Sequence, residues 1–316
     1  MDENTKIVQE FYNASVEVEW NRIADRPEFH LTCRMLKRYI KPGDRILDIG
    51  GGPGRYSLYL LEKGCDVTLL DLSDANVAFA TERAREKGLS IKAICGDACI
   101  ADTLVSDRFD HVLLMGPLYH LPEETDRIKA VNAAFNLLKP GGMIFISFIS
   151  AHAGMIYLMK NEPEMLASTP RETEFMNLVI EDKPFSGIGF TVNYFARQKD
   201  ILPFMEQFPL EKLHLFGQES LLAPCEHNIT SQPKEVYERW IHLAQAVCER
   251  EEFLGWSEHL MYVGRKVKIT DNAWSDPQTR ARIEAEVERR MALEHNPDPN
   301  GKLWYSTEEV KQKLGI

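Results

Sequence analysis

The sequence lacks the features that would mark it as a disulfide-rich, zinc-binding or membrane protein. Its six cysteines are scattered, with no C-x-x-C pair and no zinc-like spacing, so we predict no metal site. No apolar run is long enough to span a membrane. The polar start of the chain, Met1–Asn4, has no signal-peptide pattern. We therefore expect a protein of the reducing cytoplasm without a membrane partner.

The sequence also lacks any cluster of Lys and Arg, and its formal net charge is −11. Binding of a polyanion usually requires a basic surface, so nucleic acid is disfavoured as a partner. What the chain does have is apolar content, since 44% of its 316 residues are hydrophobic. This is enough to bury a sizeable core, in one large domain with insertions or in two smaller domains.

The most informative segment is residues 46–54, which read Ile-Leu-Asp-Ile-Gly-Gly-Gly-Pro-Gly. A short apolar strand runs through glycines into a helix-compatible pattern that begins at Arg55. Glycines let the backbone approach a ligand closely, and a helix N-terminus presents free N–H groups. The segment predicts a nucleotide-like cofactor site in a doubly wound α/β sheet.

The spacing of the glycines separates two classes of cofactor. A dinucleotide fingerprint has the form G-x-G-x-x-G, and counting from Gly50 and Gly52 its third glycine falls on Arg55. That fingerprint therefore fails, which disfavours a nicotinamide oxidoreductase. The alternative form D-x-G-x-G-x-G fits fully, with Asp48 and Gly54 at its two ends.

A second motif, Val67–Asp71, is an apolar run that ends in a carboxylate, as a buried parallel strand would. An acidic side chain at the tip of the second strand can accept two hydrogen bonds from ribose hydroxyls. Asp71 lies about twenty residues beyond the glycine loop, as that geometry requires. A plain helix cap is the alternative role for Asp71.

Three more motifs follow in order: Ile94–Ala98, Phe109–Gly116 and Leu137–Ile146. The last reads as a helix end, a Pro-Gly-Gly turn and a buried strand. Together the five motifs resemble the class I, Rossmann-like superfamily of S-adenosylmethionine (SAM)-dependent methyltransferases, of the small-molecule type. The resemblance covers roughly residues 40–150 well and the rest loosely.

The resemblance implies a fold and a cofactor. The fold is α/β, with a doubly wound, mostly parallel seven-stranded sheet, helical cap insertions and a C-terminal helical appendage. The final strand is expected antiparallel at the sheet edge. The cofactor is SAM, with S-adenosylhomocysteine as product. The residues expected to bind it lie at strand ends and in the leading segment: Asp48, Gly50, Gly51, Gly52, Gly54, Asp71, Leu72, Asp97, Ala98, Met115, Tyr12 and Arg22.

These residues have different expected roles. In the family the glycine loop cradles the amino-acid end of SAM, and the positions of Asp97 and Ala98 contact the adenine edge. We expect Tyr12, Trp20 and Arg22 to close over the cofactor. Arg22 either pairs with the methionine carboxylate or makes an ordinary surface salt bridge.

The candidate catalytic residues lie in the segment Pro117–Pro122, which follows the fourth strand at the edge where ligands bind in open α/β sheets. Methyl transfer is an in-line displacement in which proximity supplies much of the rate, and a base can help remove a proton. His120 is the candidate base, with an orienting or capping role as the alternative. Tyr119 is expected to form a wall of the methyl pocket. Three residues of the insertions are further pocket candidates, or else surface residues: His152, Glu226 and His227.

Five segments are expected along the chain: a helical lid (1–40), a SAM-binding core (41–150), a cap insertion (151–195), the remaining core with a helical insertion (196–268) and a C-terminal helical extension (269–316). The cap is inferred because the stretch after the fifth strand is too long for a connection. The extension either packs on its own core or pairs with another subunit, which gives a possible homodimer.

The predicted function is a SAM-dependent methyltransferase (EC 2.1.1.-) that methylates O, N, S or C of a small molecule in a capped pocket. A protein- or RNA-directed methyltransferase and a SAM-binding protein without transfer activity are the alternatives. Amino-methylating DNA enzymes carry an Asn or Asp after the fourth strand, where this chain has Gly116. The sequence does not name the acceptor.

Overall fold

The computed structural model describes residues 2–167 and 170–267. The expected C-terminal extension, 269–316, lies outside the described residues, and so does the homodimer contact suggested for it. No helix in residues 2–167 and 170–267 is both long enough and apolar enough to cross a membrane.

Three helices precede the sheet: α1 (Glu3–Ala14), α2 (Val16–Arg22) and α3 (Pro27–Tyr39). They give the segment 1–40 the helical character expected of it. The Asp2 side chain caps α1 by accepting the backbone N–H of Thr5 at 2.9 Å, which satisfies a donor that has no partner within the helix. Pro27 stands in the first turn of α3, where its missing N–H removes no hydrogen bond.

The core alternates strand and helix. In chain order its elements are β1 (Arg45–Ile49), α4 (Arg55–Glu62), β2 (Asp66–Asp71), α5 (Asp74–Glu86), β3 (Lys92–Cys95), α6 (Ala101–Leu104), β4 (Phe109–Leu114), α7 (Glu124–Leu137) and β5 (Leu138–Ser150). Short 3₁₀ helices follow β3 and β4, at Ala98–Ile100 and Pro117–His120. Each predicted motif therefore contributes a strand or the turn after it.

These five strands are parallel and lie in the order β3-β2-β1-β4-β5. The chain first builds outward from β1 to β3 and then crosses to the other side with β4. The order therefore reverses between β1 and β4, and ligands of doubly wound sheets bind at the carboxyl ends of the strands flanking such a switch point. The glycine loop follows β1 directly and lies at this position.

The Pro-Gly-Gly segment lies near the start of β5 and forms a bulge within that strand. Leu138 lies opposite Phe109, but the next pair is Met143 opposite His111, so the extra residues loop out of register. Gly141 has φ of 78°, a left-handed conformation that glycine adopts without strain from a Cβ atom.

Ten elements complete the described chain: α8 (Ala153–Asn161), α9 (Pro170–Ile180), β6 (Phe185–Ile188), β7 (Val192–Ala196), α10 (Gln198–Met205), β8 (Leu210–Gly217), α11 (Glu226–Thr230), α12 (Lys234–Val247), α13 (Glu251–Leu254) and β9 (His259–Lys266). Further 3₁₀ turns occur at Pro163–Ala167 and Ser220–Cys225. Between 196 and 268 the chain thus forms α10, β8 and β9, with α11, α12 and α13 between the two strands.

The sheet contains nine strands among the described residues, whereas seven were expected. The additional pair, β6 and β7, is an antiparallel hairpin inside the segment expected to be a cap. β7 also pairs in parallel with the end of β5, through Ile149–Phe195 and Ser150–Ala196. β9 pairs with β5 on the side opposite to β4, as far as Ile149. β7 therefore pairs with β5 on the same side as β4, beyond the point where β4 ends. The hairpin thus projects over the carboxyl edge of the sheet.

The expected position of the last strand was wrong. β9 is antiparallel, but it lies between β5 and β8 and pairs with both of them. β8 is therefore the edge strand. The burial of β9 agrees with an interior position, because Leu260, Met261 and Val263 are fully buried.

The core consists of apolar layers on both faces of the sheet. Side chains alternate along each strand, so Leu47 and Ile49 pack in one layer and Ile46 packs in the other. Helix α7 covers the first layer with residues such as Phe135. Helix α3 covers the second with residues such as Leu36. This arrangement holds the carboxyl ends of the strands in fixed positions at one edge.

Candidate active site

A cavity of ≈ 980 Å³ opens at the carboxyl edge of the sheet. Its lining comes from the N-terminal helices, the glycine loop, the segment after β4, the cap with its hairpin, and the start of β9. The volume is at the upper end of the range of about 300–1,000 Å³ that is typical of small-molecule sites. The expected cofactor residues other than Gly54 all line it, as do Tyr119 and His120.

Gly54 departs from its expected place, because it is not among the cavity-lining residues of the described chain. A Cβ atom at Gly54 would lie 2.8 Å from the Cβ of Ala80 on α5. Glycine is required at position 54 because the start of α4 packs closely against α5 there, rather than because a ligand contacts it.

The glycine loop packs closely against the segment that follows β4. A Cβ atom at Gly50 would lie 2.5 Å from Cδ of Pro117, and one at Gly116 would lie 2.9 Å from the carbonyl oxygen of Gly50. Gly52 is different: its φ is 57°, and a Cβ there would meet no described heavy atom within 4 Å. A side chain at Gly52 would enter the cavity, so the backbone itself forms this wall.

Asp71 ties the glycine loop to the turn after β2. Its Oδ2 accepts the backbone N–H of Gly52 at 2.7 Å. Its Oδ1 accepts the backbone N–H of Ser73 at 2.9 Å and the amide of Asn76 at 3.2 Å. Burial raises the pKa of this carboxyl above its ordinary value. Asp71 is therefore held in one position on the cavity wall, and a carboxylate can still accept a further hydrogen bond.

Two other carboxyl groups line the same half of the cavity. Asp48 accepts the Ser57 hydroxyl at 2.7 Å, and burial raises the pKa of Asp48 to about 7. Asp97 accepts the backbone N–H of Cys99 at 2.8 Å and so caps the 3₁₀ helix that begins at Ala98. Both side chains are fixed by neighbouring groups of the chain.

Helix α1 reaches across the cavity from the turn after β2 to the β6–β7 hairpin. The amide of Gln9 donates to the carbonyl oxygen of Leu72 at 2.9 Å, and the amide of Asn13 donates to Asp74 at 2.8 Å. Near the other side, the ring of Phe11 lies 5.7 Å from that of Phe190, between centroids. The contacts hold α1 at both sides of the cavity mouth.

Tyr12 and His120 form a buried hydrogen-bonded pair. The Tyr12 hydroxyl lies 2.7 Å from Nε2 of His120, and Nδ1 lies 3.0 Å from the carbonyl oxygen of Val192. A carbonyl can only accept, so Nδ1 carries the proton and Nε2 accepts from the Tyr12 hydroxyl. Burial lowers the pKa of His120 to about 4 and keeps the ring neutral. Both nitrogens are occupied, so this geometry favours the orienting role for His120.

The other candidates from the leading segment have internal partners. Arg22 lines the cavity, and its guanidinium donates to Glu19 and Glu28, both at 3.0 Å. Trp20 is not among the described lining residues. Instead, the Arg55 guanidinium stacks 3.8 Å from the centroid of its ring. The proposed ligand of Arg22, a methionine carboxylate, would have to share this cation with two carboxylates.

Three further candidates also lie outside the cavity lining that the described residues form: His152, Glu226 and His227. Glu226 is buried, but it pairs with Arg26 at 2.7 Å and with Lys160 at 3.0 Å. It is therefore shared between a cation of the leading segment and one of the cap, and it is not available to a ligand in this cavity.

One cluster was not expected from the sequence. Glu28, Glu219 and His259 come from α3, the turn after β8 and the start of β9. The two glutamates are buried, and the His259 side chain is 12% exposed. Their ligand atoms lie within 4.8 Å of one another, a donor set that a metal could use, although we expected no metal site. No motif or spacing links the three positions, so they could be found only from the fold.

Residues 46–142 match a family model described as a methyltransferase domain. This range begins with the glycine motif and ends within the Pro-Gly-Gly motif. Residues 46–142 of this chain therefore carry a methyltransferase domain, which supports the resemblance to the class I SAM-dependent methyltransferase superfamily.

The curated relatives match part of this chain and part of their own length. The chain is 30% identical over 131 residues to a ubiquinone biosynthesis O-methyltransferase of Pseudomonas fluorescens, covering 38% of this chain and 54% of the relative. It is 33% identical over 138 residues to the enzyme of the same description from Stutzerimonas stutzeri, covering 42% and 57%. The chain thus spans about half the length of these relatives.

Solved structures share the fold over most of the chain. The magnesium protoporphyrin IX methyltransferase of Synechocystis with bound S-adenosylhomocysteine has a TM-score of 0.52 at 13% identity, covering 84% of this chain and all of that one. The 1,6-didemethyltoxoflavin-N1-methyltransferase of Burkholderia thailandensis has a TM-score of 0.52 at 14% identity, covering 83% and 88%. At such identities the likeness shows the methyltransferase fold alone.

Proposed function

We propose that this chain transfers the methyl group of SAM to a small-molecule acceptor bound in the cavity. The observation that carries the proposal is the convergence of the glycine loop, Asp71 and the Asp97–Ala98 turn on one cavity at the switch point of a class I methyltransferase fold. The rest of the cavity wall comes from other elements, which leaves room for a second ligand beside the cofactor.

In this proposal, SAM occupies the half of the cavity that is lined by the expected cofactor-binding residues. The backbone at Gly50–Gly52 would hold the amino-acid end of SAM, and Asp71 would accept hydrogen bonds from the ribose hydroxyls. Asp97 and Ala98 would contact the adenine edge. SAM supplies an electrophilic methyl group on a sulfonium. The donor groups of the loop and the carboxylate of Asp71 suit the corresponding parts of that molecule.

The acceptor is proposed to be small because it would be enclosed. Helix α1 and the β6–β7 hairpin meet over the cavity through Phe11 and Phe190. We infer that residues 1–40 act as a lid and residues 151–195 as a cap. Enclosure excludes water and aligns the acceptor with the methyl group, and proximity of this kind supplies much of the rate. The net charge of −11 further argues against a nucleic-acid acceptor.

Near the proposed reaction centre, the residues after β4 act as walls and orienters. The Tyr119 hydroxyl donates to the carbonyl oxygen of Met115 at 2.9 Å, which fixes its ring. His120 holds the Tyr12 hydroxyl in place. We propose that alignment and exclusion of water supply the catalysis, with His120 as a positioning residue.

Two measurements test the proposal. Calorimetric titration with SAM, S-adenosylhomocysteine and NAD should show binding of the first two and negligible binding of NAD. NAD binding tighter than SAM would contradict it. The protein should then be incubated with methyl-labelled SAM and a cell extract, and the small molecules, proteins and RNA should be separated. Label is expected in a small molecule that chromatography separates from SAM and that is not labelled without the protein. Label mainly in protein or RNA would contradict the acceptor class.

A further inference from the structure

A largely enclosed histidine at the start of β9, His259, is held by two carboxylates. Glu219 contacts His259 twice, since its Oε2 accepts the backbone N–H at 3.0 Å and its Oε1 lies 2.7 Å from Nδ1. Oε2 of Glu28 lies 4.0 Å from the same Nδ1. An ionised carboxylate only accepts hydrogen bonds, so Nδ1 carries a proton. The side chain of His259 is thereby fixed in one orientation.

The carboxylates of this cluster favour His259 as an imidazolium. Arg22 is shared between Glu19 and Glu28, both at 3.0 Å, so three carboxylates, including Glu219, face one guanidinium. A neutral His259 would leave two of these negative charges uncompensated. Burial opposes the charged ring, but the two carboxylates outweigh it and raise the pKa of His259 to about 9. Tyr119 packs edge-on, with 6.3 Å between ring centroids. Glu258, the next charged group on the cavity wall, pairs with Lys160.

The second nitrogen of His259 faces the cavity. His259 lines the cavity, and Nε2 has no hydrogen-bond partner among residues 2–167 and 170–267. The imidazolium therefore directs one unpaired N–H donor at whatever occupies the space in front of it. A buried charged donor of this kind forms stronger hydrogen bonds with an anion than with a neutral group.

The position of His259 separates it from the cofactor residues. The glycine loop and Asp71 follow β1 and β2, whereas His259 begins β9 beside the end of β5. Strand β4 lies between these two pairs, and Tyr119 from the segment after β4 contacts the His259 ring. His259 thus faces the part of the cavity that the cofactor residues leave open.

We propose that His259 binds the methyl acceptor and that the acceptor carries an anionic oxygen, a phenolate or a carboxylate, which accepts the Nε2–H hydrogen bond. The inference rests on the proposed function and names its substrate class. An ammonium group would meet an unfavourable charge at this position, and a neutral group would gain less. The cavity would therefore select anionic small molecules.

The test uses four small aromatic probes with the full chain saturated in S-adenosylhomocysteine. Benzoate and 4-nitrophenolate are the two anions, benzamide is neutral and benzylammonium is cationic. Calorimetry should show at least one anion binding tenfold or more tighter than benzamide, and benzylammonium weakest. In ¹⁵N spectra at pH 7, His259 should be doubly protonated, and the bound anion should shift its Nε2 resonance.

His259→Gln should weaken anion binding about tenfold or more and leave S-adenosylhomocysteine binding within twofold. His214→Gln is the matched control, because His214 also pairs with a glutamate, Glu249, at 2.8 Å but does not line the cavity. It should leave anion binding unchanged. If His259→Gln does not fold, the ¹⁵N spectra of the unmodified protein still show whether His259 is doubly protonated and whether a bound anion shifts its Nε2 resonance.

Three results would overturn the inference: a neutral His259 ring at pH 7, anions that leave its resonance unmoved, or benzamide binding as tightly as both anions. Titration with Mg²⁺ or Zn²⁺ is a further arm, and a metal that displaces the Nδ1 proton would reassign the cluster as a metal site. Failure of S-adenosylhomocysteine to bind would instead contradict the proposed function, so the two failures are distinguishable.

Discussion

The Tyr12 hydroxyl lies 2.7 Å from Nε2 of His120, and Nδ1 of the same ring lies 3.0 Å from the carbonyl oxygen of Val192. One neutral imidazole thus connects α1, the segment after β4 and strand β7, which are far apart in the chain. A ring with both nitrogens engaged transfers no proton to or from a ligand unless one contact breaks. We therefore expect His120 to position Tyr12.

Substitution of His120 tests this role. Glutamine can donate to Val192 and accept from Tyr12 with one amide, so His120→Gln should lose less than about tenfold in kcat. His120→Ala removes both contacts and should lose about 10–100-fold, with SAM affinity little changed. A general base contributes about 10²–10⁴-fold. A loss of 100-fold or more in His120→Gln, with a changed pH profile of kcat, would restore the role of base.

The buried His120 should also make the protein sensitive to acid. Its pKa is about 4 in the folded chain against an ordinary 6.5, so below pH 6.5 the unfolded chain binds a proton that the folded chain does not. Stability is then lost as the pH falls from about 6.5 to 4, by up to about 3 kcal/mol. Urea unfolding of the parent and His120→Gln at several pH values measures this difference. Parallel curves for the two proteins would contradict it.

Gly52 should be required for ligand binding beyond its backbone conformation. Gly52→Val would strain the backbone at φ 57° and also place a side chain in the cavity. Gly88→Val is the matched control. Gly88 has φ of 68°, and a Cβ atom there would also meet no described heavy atom within 4 Å, but Gly88 does not line the cavity. Both variants should lose about 1–2 kcal/mol of stability. Only Gly52→Val should lose SAM binding, and equal affinities in the two variants would make the loop purely structural.

Asp71 should contribute to cofactor affinity through its carboxylate. Asp71→Asn should weaken SAM binding by about 1–3 kcal/mol, the range for a hydrogen bond to a charged group. Asp66→Asn, at the exposed start of the same strand, should leave the affinity unchanged. Calorimetry on the two variants gives the comparison. Binding by Asp71→Asn at the parent affinity would return Asp71 to its structural bonds with Gly52 and Ser73.

The core was predictable because its signals are local. The glycine run, the carboxylate that ends β2 and the apolar strands lie in short windows, and each motif corresponds to one strand end. Parallel strands with helices between them bring these ends to the same edge of the sheet. Asp48, Asp71 and Asp97 could therefore be assigned to one site before any contact was known.

The acceptor half of the cavity was not predictable, because it depends on contacts across long separations. Glu28, Glu219 and His259 meet only through the packing of α3 against the ends of β8 and β9. The β6–β7 hairpin was missed because its strands are short and contain or adjoin glycine, with Gly187 in β6 and Gly189 in the turn after it. The placement of β9 between β5 and β8 likewise depends on strand pairing between distant parts of the chain, which no local sequence pattern indicates.

A crystal structure of the full chain with S-adenosylhomocysteine would locate the cofactor relative to each residue assigned to it. We expect the amino-acid end to lie on the backbone of Gly50–Gly52 and the ribose hydroxyls to lie within hydrogen-bond distance of Asp71. We also expect the sulfur to face the open space bounded by Tyr119 and His259. A ligand bound elsewhere, or a sulfur turned away from that space, would contradict the proposed function.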